Sequence, residues 1–133
     1  LPDPRIIQDG MNYTDFKEQY DLCMKVIDLY KNTALLAEAV NEELDQWAKE
    51  ENEELRLKRR ERIMKDKLGE IKAQIVTRDD IRYPQPMLQD QLMYLYSMIS
   101  RSDQKPGKDA YRRYDELEEV YQSLRNEYAS IME

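Results

Sequence analysis

The stretch "SMISRSDQKPGKDAYRRYDEL", Ser97 to Leu117, contains the single Pro-Gly-Lys run of the chain, and its reading decides between two fold classes. A phosphate-binding loop there would imply a strand before it and an α/β domain. A plain connector would leave helices on both sides. A phosphate loop needs Gly-x-x-x-x-Gly-Lys-Ser/Thr, because several backbone amides must converge on the anion. Here Gly107 stands alone, Asp109 follows Lys108 where a hydroxyl is needed, and Asp103 would repel the ligand. The stretch therefore reads as a turn, with Ser102 or Asp103 closing local hydrogen bonds and Pro106 opening the next helix at its first position.

Downstream of the turn, Ala110, Tyr114, Leu117, Tyr121, Leu124, Tyr128 and Ile131 recur at spacings of four and three, the most regular apolar seam in the chain. This seam is expected to dock lengthwise on the first helix, opposite Phe16, Tyr20 and Tyr30. Upstream, Leu88, Leu92, Leu95 and Ile99 mark a shorter helix, with Met87, Tyr94 and Met98 as a second apolar edge sandwiched against a neighbour. Before that, "TRDDIRYPQPM" breaks the chain, since Pro84 and Pro86 drive Tyr83 and Gln85 out of the helical region.

Leu57, Met64, Leu68, Ile71 and Ile75 predict a second helix from about Glu53 to Val76, running back along the first. The charged run Lys49–Lys67 marks the hairpin between them. Its "RLKRRER" core is interrupted by Glu61 and carries no interleaved aromatics for base stacking, so a solvated helix face laced with i,i+4 pairs is the better reading. The first helix starts near Thr14, capped by Asn12, Thr14 or Asp15, and reaches towards Trp47. Asn12-Tyr13-Thr14 also matches a glycosylation acceptor, and the cap is preferred. Phe16, Tyr20, Cys23, Ile27, Tyr30, Ala34, Ala37 and Leu44, with Asn41 in register, give this helix its stripe, widened by Met24, Val26, Leu36 and Val40. Leu1 to Tyr13, with two prolines and an Asp-Gly pair, reads as an extended linker from a preceding domain, leaving 14–133 as the helical domain. With Leu1 where a Met would start a chain, a segment of a longer polypeptide is expected.

The resulting fold class is all-α: an antiparallel helical bundle of three to four helices with a long first helix. Composition agrees, with 133 residues, 41% hydrophobic and 37% charged, and only three Gly, which suits one domain of amphipathic helices. The net charge of −7 opposes binding to nucleic acid or to an anionic membrane surface. No stretch approaches the ~20 apolar residues of a membrane span.

The chain has no His and one cysteine, Cys23. This removes the commonest general base, the commonest transition-metal ligand and any disulfide within the chain. Cys23 sits on an apolar face and reads as a small core residue. Glu38, Glu42 and Glu43, or Glu116 and Glu119, could be imagined as a carboxylate pair for acid–base chemistry, but at these spacings they read as a solvated face. Asp79 and Asp80 without further oxygen ligands make a poor cation site. No catalytic, cofactor-binding or metal-binding residue is therefore assigned, no cofactor is expected, and the chain is expected not to be an enzyme.

The segment "YPQPMLQDQLMYLYSMISRSDQKPGKDAYRRYDELEEVYQSL", Tyr83 to Leu124, resembles the C-terminal helical region of bacterial sortilin-type β-propeller proteins, large secreted proteins with Asp-box repeats often labelled as glycosyl hydrolases. Tyr83-Pro84, Tyr94 to Tyr96, Asp103 with Pro106, and Glu116-Leu117 occupy the places of that family's Tyr-Pro segment, Tyr-Leu-Tyr helix end, Asp-to-Pro turn and Glu-Leu helix. "DPR", Asp3 to Arg5, is similar to the end of the strand-rich domain that precedes the region, and "FKEQYDLCMKVID" falls on its first long helix. Gly107 stands where the family commonly has Thr. The resemblance implies a non-catalytic helical accessory or interaction module, extracytoplasmic, whose partner is a preceding domain of the same polypeptide or another protein. A free-standing cytoplasmic helical adaptor is the alternative.

Overall fold

The structure, a computed structural model, describes residues 12–53, 59–78, 80, 82 and 85–132, the side chains of 47–53 and 59–61 excepted. Four helices account for nearly all of it: α1 (Tyr13–Glu53), α2 (Arg59–Ile75), α3 (Leu88–Arg101) and α4 (Lys108–Ile131). No strand occurs among the described residues. The all-α bundle with a long first helix is thus observed, and the Pro-Gly-Lys run is a connector between α3 and α4.

The path of the chain follows from which residues meet. Gln19, near the start of α1, bonds to Ile99 at the end of α3, while Asn41 shares a cleft with Gly69, Lys72 and Val76 of α2. Both α2 and α3 therefore run antiparallel to α1, α2 along its second half and α3 along its first. α4 then turns back. Gln91 of α3 meets Arg113, and Lys67 of α2 shares a cleft with Ser130 and Ile131. α4 accordingly spans α3 and then α2, antiparallel to both and parallel to α1, so the bundle is three rods wide in section. α4 contacts all three other helices.

The core follows the periodicity of three helices as expected. Leu68, Ile71 and Ile75 of α2, Leu88, Leu92, Leu95 and Ile99 of α3, and Leu117, Tyr121 and Leu124 of α4 are all buried. Ala110, Tyr114, Tyr128 and Ile131 complete the α4 seam as partly buried neighbours. Met64 is half-buried, whereas Leu57 lies outside the described residues.

α1 follows expectation in part: Cys23, Ala37, Val26, Leu36 and Val40 are buried as expected, but the centre of its stripe lies elsewhere. Its buried stripe is Leu22, Val26, Leu29, Thr33, Leu36 and Val40, joined at the edge by Gln19, Cys23 and Ala37. Tyr20 is 57% exposed and Met24 37%, while Phe16, Ile27, Tyr30 and Ala34 are only half-buried. The true stripe is rotated from the expected one by roughly one residue, about 100° around the axis. The physical reason is shape. Between closely packed rods the centre is filled on α1 by compact aliphatic side chains, whereas the larger Phe16, Tyr20 and Tyr30 rings lie towards the flank.

The expected boundaries also shift. Asn12 supplies the cap of α1, its Oδ1 accepting the Asp15 N–H at 2.8 Å, so the helix begins at Tyr13 rather than Thr14. α1 runs past Trp47 to Glu53, because good helix formers without Gly or Pro extend it into the charged run; α2 is described from Arg59, and the expected start near Glu53 falls next to residues 54–58, outside those described. Pro106 does not open α4: Gly107 is its cap, in extended conformation (φ −83°, ψ 171°), and the helix starts at Lys108. In the turn, the Ser102 hydroxyl accepts the Gln104 N–H at 3.1 Å and donates to the Gln104 carbonyl at 3.2 Å. The linker reading of residues 1–13 falls largely on residues outside those described.

Gly69 occupies the interior of α2, and a methyl group at its Cβ position would meet nothing within 4 Å. A helical glycine with open space costs stability without serving packing. Gly69→Ala is expected to stabilise the domain by about 0.5–1 kcal/mol, measured as a higher urea midpoint with an unchanged slope.

Candidate functional site

Two buried polar side chains hold the framework. Gln19 is 8% exposed and donates both amide hydrogens to the end of α3, to the Ile99 carbonyl at 2.6 Å and the Ser102 carbonyl at 2.9 Å. A helix C-terminus leaves its last carbonyls without intrahelical partners, so this amide caps α3 from outside. Thr33, fully buried, turns its hydroxyl back to the Tyr30 carbonyl at 2.6 Å. At the other end of α3, the Met87 N–H is bonded to Thr77 Oγ1 at 2.9 Å. α3 is thus pinned at both ends by side chains of other segments.

That pinning orients a cleft of about 330 Å³ between α3 and α4. Leu95 and Ala110 line it, and Tyr94 and Met98, one helical turn apart, stand over it at 69% and 53% exposed. These two were expected to be sandwiched against a neighbour. They are not, because the buried stripe of α3 runs through Leu88, Leu92, Leu95 and Ile99, which leaves Tyr94 and Met98 at the outer edge of the contact with α4.

The rim of the cleft is charged and internally satisfied. Arg112 pairs with Asp109. Arg113 reaches Glu116 at 3.1 Å and Gln91 Oε1 at 2.8 Å, while the Gln91 amide nitrogen donates to the Pro86 carbonyl at 2.8 Å. Two positive and two negative groups compensate each other, leaving tyrosine and methionine surface as the feature without an intramolecular partner. Chemically the cleft can cover an apolar side chain and offer a phenol hydroxyl. It contains no nucleophile beside a base.

On the opposite flank of α4, carboxylates line the tyrosines. Burial, aided by Glu118, Asp115 and Asp28, pushes Tyr114 up to about 12. Burial with Glu18 and Asp21 of α1 raises Tyr111, and burial with Glu42 and Glu43 raises Tyr128. α4 therefore meets the acidic flank of α1 and not the Phe16–Tyr20 flank that was expected to receive it. The neutral phenol of Tyr114 is favoured in the fold, so its contribution is present below pH 10 and is lost as pH rises from about 10 towards 12. Alkaline unfolding should begin in that window. In Tyr114→Phe the loss across it should be smaller, as followed by helical ellipticity against pH.

The candidate acids remain dispersed. Glu38 and Glu42 are exposed, Glu43 is half-buried, and Glu119 is exposed beside Glu116 and Glu127 in a second cleft with Gln74 of α2. Glu116 is held by Arg113. Asp80 is engaged by Arg78 through two bonds of 2.9 and 2.8 Å, which lowers the carboxyl and raises the guanidinium. Asp79 lies outside the described residues, as do the side chains at the start of the "RLKRRER" run. Among the described residues, no group of three or more His, Cys, Asp or Glu is placed to hold a metal ion. Cys23 is buried, and burial raises its thiol pKa, which disfavours the reactive thiolate.

Gln19 is the residue that sequence reasoning missed. The signal was there: Leu22, Val26, Leu29, Thr33, Leu36 and Val40 alternate by four and three, and Gln19 lies three residues before Leu22 in the same register. Among the described residues, no helix is long and apolar enough to cross a membrane. Neither a family model, nor a curated protein, nor a solved structure matches the chain.

Proposed function

We propose that this chain is a non-catalytic helical module that makes protein–protein contact, and that its partner is the preceding β-propeller domain of a larger extracytoplasmic polypeptide. The observation that carries the contact role is the α3–α4 cleft, where Tyr94 and Met98 stand exposed above a charge-compensated rim. Tyrosine and methionine are favoured in the centres of protein interfaces, where large adaptable surfaces bury at modest entropic cost. The lack of histidine and the dispersal of the carboxylates support a non-catalytic role. The Tyr-Pro and Asp-to-Pro segments support the propeller parent and, with it, the location.

The reading of the DNA directly upstream of the Leu1 codon tests the parent. A continuous frame encoding Asp-box repeats supports it, and a start codon immediately before Leu1 overturns it in favour of a free-standing adaptor. The contact is tested on the full polypeptide by chemical cross-linking from Lys108, which directly precedes the cleft residues Asp109 and Ala110 in the chain. Cross-links to the preceding domain are expected, and they should be lost in Tyr94→Glu while the melting temperature of the helical domain is unchanged. Cross-links that persist in that variant would remove the cleft from the interface.

A further inference from the structure

We draw no further inference here: the strongest candidate, the apolar cleft between α3 and α4 beneath Tyr94 and Met98, belongs to the surface already described, and nothing in the structure shows what covers it.

Discussion

Replacing Leu117 by Ala is expected to lower the free energy of unfolding by about 2–5 kcal/mol, the range for emptying a packed core site. Leu117 is 2% exposed and lies at the centre of the α4 seam, between Tyr114 and Tyr121. α4 spans both α2 and α3 and also meets α1, so a cavity at this point loosens an element that contacts all three others. Leu124→Ala, one heptad further on and 3% exposed, should behave alike. Arg112→Ala provides the contrast. Its pair with Asp109 lies at the surface, 70% and 90% exposed, and such pairs contribute under about 1 kcal/mol. Urea unfolding followed by helical ellipticity measures all three. Equal midpoints for Leu117→Ala and the wild type would show that the seam is not part of the core.

Gln19 should be the most sensitive polar position. In Gln19→Leu the shape is nearly kept but both amide donors are lost, leaving the Ser102 carbonyl without its protein partner and the buried Ile99 carbonyl with only the long 3.3 Å bond from the Ser102 N–H. With Ile99 retaining its backbone bond and water able to reach Ser102, the loss is expected to be about 1–3 kcal/mol, the range for one buried group left unsatisfied. Gln19→Glu gives a sharper result. At neutral pH it places a carboxylate against two carbonyl oxygens, which is worse than an apolar side chain. Those oxygens favour the protonated acid, raising its pKa in the folded state, so stability should be regained as pH falls through that raised value. The wild type at each pH is the control. A Gln19→Glu variant as stable as wild type at pH 7, with no recovery on acidification, would show that the side chain does not cap α3.

Different parts of the architecture were legible to different degrees in the residues alone. The connector at Ser97–Leu117 was readable because a phosphate loop has strict requirements that one glycine and an aspartate cannot meet. The stripes of α2, α3 and α4 are readable because in each a row of Leu, Ile or Tyr keeps strict helical spacing, and on α3 the Leu and Ile row outweighs the Met87, Tyr94 and Met98 edge. The cap of α1 was narrowed to three residues, and geometry selected Asn12, the one whose side chain reaches the Asp15 N–H.

The residues alone specify an all-α bundle of three to four helices and the buried faces of α2, α3 and α4. The phase of α1, the flank on which α4 meets it and the exposure of Tyr94 and Met98 emerge only when the helices pack. α1 carries two apolar registers one residue apart, an aromatic one through Phe16, Tyr20 and Ile27 and an aliphatic one through Leu22, Val26 and Leu29. Periodicity weighs them almost equally. What separates them is the space between the packed rods, which on α1 closes around Leu22, Val26, Leu29, Leu36 and Val40 and leaves Tyr20 57% exposed. The surface at Tyr94 and Met98 arises for the same reason: local spacing marks a residue as apolar, but burial depends on whether another element arrives to cover it.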